Sequence, residues 1–285
     1  MYQLHWKFDE AVKAHYQIDD FTANFDVRKL IEDVKEKETV DQLLHMCADG
    51  TIRPYNLTDY VTLETYIKYT SRFDKSFEYF RKDYLKSSKG NRDCNVIWLF
   101  GESGIGKTSL CKLLAEREGK GIFISETGKA PFNHYEGQEV VCLDDFRANE
   151  PFTYEATLKL LDNDSLTNGA QSRYQNKLLI CDTIMVTSVF SPEEVYKAYA
   201  VSSADSDVQF FRRITELWHV ERDTITISRY EKSLRKFVEI ETIKNPVWDY
   251  IAAKITERKT TSFAYHALLE NGNSTVSQQK LEFPA

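Results

Sequence analysis

The sequence has no apolar run long enough to span a membrane and no apolar leader at its N-terminus, so neither an embedded nor an exported chain is expected. Its five cysteines, Cys47, Cys94, Cys111, Cys142 and Cys181, include no C-x-x-C pair. That scatter leaves no structural zinc site, and Cys111 and Cys142, set among apolar residues, read as reduced core thiols of a cytoplasmic protein. The six histidines are widely separated, with no H-x-H among them. A positive balance is missing too: 37 Lys and Arg against 44 Asp and Glu give a net charge of −7. This excludes a uniformly basic nucleic-acid coat but leaves room for a locally basic channel. With 285 residues there is length for one large domain or two modest ones, each with a real core.

What is present centres on Gly101-Glu102-Ser103-Gly104-Ile105-Gly106-Lys107-Thr108-Ser109, which matches the phosphate-binding pattern G-x-x-x-x-G-K-[ST]. A triphosphate needs several backbone N–H groups converging on it, and so tight a loop needs glycine where φ is positive or the backbone must approach closely. Lys107 is expected on the β- and γ-phosphates, and the Thr108 hydroxyl in a Mg²⁺ shell. The flanks agree: Asn95 to Phe100 reads as a buried strand, and Lys107 to Glu118 as a helix with Leu110, Cys111, Leu113 and Leu114 on one face. Chance supplies the pattern in about one chain of this length in a hundred. ATP is the expected ligand.

Downstream, Glu139 to Asp145 carries four apolar residues and then two acids. A central parallel strand looks like this, and carboxylates at its C-terminal end face the ligand crevice of an open α/β sheet. Asp144 is expected to hold Mg²⁺ through water, and Asp145 to orient or deprotonate the attacking water. Tyr154 to Leu161 reads as a helix. The turn-rich, basic piece from Asn168 to Lys177 reads either as a solvated loop or as a hairpin placing Arg173 and Lys177 on a nucleic-acid backbone, with Tyr174 to stack. An apolar strand then ends in Thr187-Ser188, where a motor would sense the γ-phosphate. Arg212 and Arg213, beside apolar anchors, read either as a surface ion-pair helix or as an arginine finger.

The chain before the loop reads as helical: Asp26 to Cys47, Leu57 to Tyr69 and Phe73 to Leu85, with most of its aromatics as core or helix contacts. Three segments are expected: 1–90, a helical oligomerisation unit; 91–220, an α/β P-loop ATPase with a central parallel sheet; and 221–285, peripheral strands and a mobile Asn/Ser/Gln-rich tail.

The P-loop, E-V-V-C-L-D-D-F, the basic segment, I-M-V-T-S and Q-F-F-R-R-I, in this order, resemble a superfamily 3 helicase. The likeness is to the motor half of Rep initiators of rolling-circle plasmids and circular single-stranded DNA viruses, and it covers about residues 20–245. The resemblance implies an AAA+-like ring, a hexamer, hydrolysing ATP with Mg²⁺ at subunit interfaces and moving 3′ to 5′ on single-stranded or forked DNA. It carries Lys107, Thr108, Asp144 and Asp145 over as nucleotide and Mg²⁺ residues, Arg212 or Arg213 as the finger, and Lys177 or Arg173 as the DNA grip. Relatives often end the sensor strand in Asn; here sensing falls to Thr187 or Ser188. Complete initiators also carry a His-hydrophobe-His nicking site, so without an H-x-H this chain is not expected to nick DNA. An RNA-translocating relative and a P-loop switch or scaffold remain the alternatives. No arginine-rich lid follows the loop at kinase-like spacing, which argues against a small-molecule kinase.

Overall fold

The computed structural model describes residues 27–89, 91–125, 130–149, 152–162, 169–170, 177–199 and 207–253. The chain divides into two compact units, Met1–Lys89 and Gly90–Ala285.

The first unit is helical. Helix α1 (Val27–Ala48) runs into a turn at Gly50, a short 3₁₀ segment follows at Pro54–Asp59, and helix α2 spans Leu63–Ser87. The two helices expected over 57–85 are therefore one longer helix, entered later. Pro54 with Asn56, whose Oδ1 accepts from Arg53 N–H at 2.8 Å, closes the 3₁₀ turn first, and Thr62 then caps α2 by accepting from Thr65 N–H at 3.3 Å. Nothing between Tyr69 and Phe73 breaks a helix, so it continues. Its apolar stripe places Phe73 and Phe77 in a core with Cys47, Ile52 and Leu57. The aromatics split by helical phase: Tyr60, Tyr66 and Tyr79 are exposed. Exposed ion pairs Glu36–Lys68 (2.9 Å) and Asp41–Arg72 (2.8 Å) link the two helices.

The second unit is built on a seven-stranded sheet. Its strands are β1 (Asn95–Phe100), β2 (Ile122–Ile124), β3 (Val140–Leu143), β6 (Thr183–Ser188), β7 (Glu216–Val220), β8 (Thr224–Glu231) and β9 (Lys236–Lys244). The spatial order is β2-β3-β6-β1-β7-β8-β9, parallel through β7 and antiparallel beyond it. The fold is thus the mixed α/β architecture of a P-loop motor. Strands β3 and β6 are buried at every position, as central parallel strands are, β6 with its Thr183, Thr187 and Ser188 included. The strands after residue 220 are not separate from the motor: they form the antiparallel margin of the same sheet.

Helix α3 (Lys107–Arg117) buries Leu110, Cys111, Leu113 and Ala115 against β3, β6 and the C-terminal strands. On the other side, Trp98 meets Phe146 and Phe210 edge-on, with centroids 5.3 and 5.8 Å apart. Helices α4 (Tyr154–Leu160), α5 (Pro192–Ala198) and α6 (Asp207–Phe211) complete this layer. A last helix, α7 (247–253), follows β9 and returns Val247 and Ile251 to the loop ahead of α3. Gly169–Ala170 (β4) and Lys177–Leu178 (β5) pair antiparallel as a separate two-stranded ribbon.

Candidate nucleotide-binding site

Strand β1 ends at Phe100 and α3 begins at Lys107, so residues 101–106 must turn the chain sharply at the C-terminal edge of the sheet. Three glycines take this turn, and Gly101 shows why the residue type matters. Its φ is +147°, and a Cβ there would run into the Val220 carbonyl oxygen of β7. Gly106, at φ +87°, caps α3 and lies against Val247 and Ile251 of α7. Gly101→Ala is expected to lower stability by about 2–4 kcal/mol, since backbone cannot retreat as a flexible side chain can; a thermal melt reads this directly.

The half-buried N-terminus of α3 and the loop's N–H groups are the kind of backbone arrangement that can accept an anion. Lys107 Nζ donates to the carbonyl oxygens of Gly101 (2.8 Å) and Glu102 (2.7 Å), which folds the ammonium over the loop. Burial lowers the Lys107 pKa, and the nearby Asp145 and Asp144 carboxylates oppose that shift. Glu102, Ser103 and Gly104 are exposed along the loop, and Ile105, Thr108 and Ser109 are half-buried.

The two acids leave β3 in different directions. Asp144 Oδ1 accepts from Thr108 Oγ1 at 2.6 Å and from Thr187 Oγ1 at 2.7 Å, tying the ends of β3 and β6 to α3. Thr187 Oγ1 in turn accepts from Asp145 N–H at 3.0 Å. Because β6 lies between β1 and β3, its end sits between the loop and the acids. Ser188, the other sensor candidate, points away: its Oγ donates to Phe146 O at 2.8 Å and accepts from Phe190 N–H at 3.1 Å, wholly buried. Alternation along a strand separates the two hydroxyls.

Asp145 has a φ of +49°, and its exposed carboxylate meets Arg147 Nη2 at 3.1 Å. Arg147, whose guanidinium also lies 5.8 Å from the Phe190 ring centroid, was not among the residues singled out from the pattern. Nor was Ser125, whose Oγ accepts from Asp144 N–H at 3.2 Å. A cation two residues after a strand-end acid is a readable signal for the first; nothing in the pattern marks the second.

The two arginines differ sharply. Arg213 is buried; its Nη2 meets Asp162 Oδ2 at 3.2 Å and its Nη1 donates to Gln209 O. Arg212 is exposed, and its guanidinium has no hydrogen-bond or ion-pair partner among the described residues. Both precede β7, whose far end touches the loop at Gly101, so both lie across the length of a strand, about 16 Å, from their own chain's P-loop. Lys177 opens β5, while Arg173 and Tyr174 lie outside the described residues.

A tight glycine loop at the sheet's C-terminal edge, with a hydroxyl-bound acid beside it, is a geometry able to take a nucleotide phosphate within an α/β domain. Residues 97–190, from within β1 to just past β6, match the model of the RNA helicase family. It is also 29% identical over 203 residues, 69% of its length, to the "Replication protein" of Onion yellows phytoplasma (strain OY-M). The chain covers 52% of that protein, about half its length. Among the described residues no helix is long and apolar enough to cross a membrane, and no cluster of three or more His, Cys, Asp or Glu forms a metal site.

Proposed function

We propose that this chain is the ATP-driven motor of a replicative DNA helicase of the superfamily 3 type, moving 3′ to 5′ on single-stranded or forked DNA within a hexameric ring, in rolling-circle replication. One observation carries the nucleotide chemistry: Asp144 Oδ1 lies within 2.7 Å of both the Thr108 and the Thr187 hydroxyls, at the edge where the loop and α3 present their N–H groups. Lys107 takes the β- and γ-phosphates in place of the loop carbonyls it now meets. The Thr108 hydroxyl and the Asp144 carboxylate are hard oxygen donors suited to Mg²⁺, which would screen phosphate charge. Asp145 accepts the proton of the attacking water, and Thr187 reports the γ-phosphate to the acid pair. Arg212 supplies positive charge to a neighbouring copy's site. Lys177, at the start of β5, is assigned with Arg173 and Tyr174 to nucleic acid.

The replicative role draws on the likeness to a replication protein. The name of the matching family favours a second reading, translocation on RNA. Steady-state ATPase at about 0.1 M salt, where phosphate contacts still hold, separates the two. Stimulation by single-stranded DNA and not by RNA is the expected result. The reverse order would assign the motor to RNA, and turnover indifferent to both would leave a switch or scaffold.

A further inference from the structure

A second group of reactive side chains lies at the opposite edge of the sheet. Cys94 and Cys181 sit just ahead of β1 and β6, whose first residues, Asn95 and Thr183, are register partners. Asn95 N–H donates to Asp182 O at 2.8 Å, which holds the two chain segments together there. Against both thiols lies Arg92, only 5% exposed. Its Nη2 donates to Cys94 Sγ at 2.9 Å and lies 3.6 Å from Cys181 Sγ, and its Nη1 meets Leu160 O at 3.4 Å. Its Nε has no partner. No carboxylate meets this buried guanidinium among the described residues, although a buried cation ordinarily requires an anion. The sulfurs are the groups able to become one.

We propose that Cys94 and Cys181 form a redox-active dithiol, an oxidation site at which a peroxide closes an intramolecular disulfide. Cys94 is the attacking sulfur. The Cys181 thiol donates a hydrogen bond to it and Arg92 lies against it, and together they bring its pKa down to about 7 against the opposing effect of burial. Cys181, as donor in a wholly buried position, is pushed well above the ordinary thiol range and stays protonated until it resolves.

The atoms balance. The Cys94 thiolate attacks one oxygen of hydrogen peroxide, the O–O bond breaks, and the leaving hydroxide takes up a proton to become water. Cys94 is then a sulfenic acid. The Cys181 sulfur attacks the Cys94 sulfur, its proton passing to the departing hydroxyl as the S–O bond breaks, and a second water leaves. Two thiols are oxidised and one peroxide is reduced. Cys181 stands one residue out of register with Cys94, so an interstrand spacing of about 4.8 Å and a rise of about 3.3 Å put their Cα atoms about 6 Å apart, within the separation that a disulfide spans. The remaining pair is a built-in control. Cys142 donates a hydrogen bond to Cys111, both are buried where α3 packs on β3, and Cys142 is pushed well above the ordinary range with no guanidinium against it.

The site stands apart from the ATPase reading and is tested without it. The folded full chain is treated with hydrogen peroxide at pH 6 to 9, quenched with an alkylating reagent, and digested without reductant for mass spectrometry. The expected product links the Cys94 and Cys181 peptides, and its rate of formation rises through about pH 7 and then levels. At neutral pH a thiol of that acidity reacts about fivefold faster than an ordinary one, its larger thiolate fraction outweighing its lower nucleophilicity. Arg92→Gln should lose that advantage and move the inflection upward. In Cys181→Ser the sulfenic acid on Cys94 should persist and be captured by dimedone. Linkage of Cys111 to Cys142 alone, or both Cys94 and Cys181 still free in the treated chain, would overturn the proposal. So would a rate that climbs without levelling until about pH 9. If Arg92→Gln does not fold, the wild-type pH profile and the Cys181→Ser trap decide the matter.

Discussion

Lys107→Ala should cut ATP turnover by at least about 10²- to 10³-fold, the scale of losing one preorganised group that stabilises transition-state charge. The reason lies in where the ammonium rests. Its contacts to the Gly101 and Glu102 carbonyl oxygens, at 2.8 and 2.7 Å, hold it over the loop's N–H groups, where a terminal phosphate would displace both acceptors. Burial lowers its pKa, and the Asp145 and Asp144 carboxylates oppose that loss of charge. Alanine removes that charge while leaving α3 intact, because alanine is the best helix former and Lys107 is the first residue of the helix. Phosphate release at saturating ATP measures the effect, and a thermal melt should show little change. Turnover at the wild-type level would remove the phosphate-binding role assigned to this loop.

The second large effect separates two neighbours that look alike in sequence. Arg212→Ala should lower kcat by about 10³-fold or more while a fluorescent ATP analogue binds nearly as well. Arg213→Ala should instead cost about 2–4 kcal/mol of stability, because it removes a buried ion pair with Asp162 and a bond to Gln209 O. Position is the reason Arg212 is proposed to act on another copy. It precedes β7 at the sheet edge opposite the loop, so its own nucleotide lies beyond reach. Mixing Arg212→Ala with Lys107→Ala therefore restores part of the activity, since some interfaces then pair an intact Lys107 with an intact Arg212. Two inactive variants that stay inactive when mixed would place the arginine's action within one chain.

Much of the site could be read along the chain because its parts are contiguous. Gly101 to Thr108 must lie together in any fold, since a tight loop between a strand and a helix is local. The two acids after V-V-C-L announce a strand end by the same logic. The aromatic helices were harder: propensity placed a break between Tyr69 and Phe73 where the structure has none, since no glycine or proline stands there to end the helix. The strands after residue 220 were judged peripheral from sequence, yet they extend the central sheet, because strand partnership is a long-range property.

By itself, then, the sequence determined a phosphate loop, a strand-end acid pair and an α/β frame, each encoded in a few adjacent residues. Which hydroxyl of Thr187 and Ser188 reaches the acid, which arginine is free, and which cysteines share Arg92 were decided only by the tertiary structure. The alternating faces of β6 turn Thr187 to Asp144 and Ser188 to Phe146. The packing of α6 buries Arg213 against Asp162 and leaves Arg212 in solvent. Insertion of β6 beside β1 brings Cys181 to Cys94 across 87 residues of chain. In each case the deciding neighbour is remote in sequence, and only the folded sheet sets the distance.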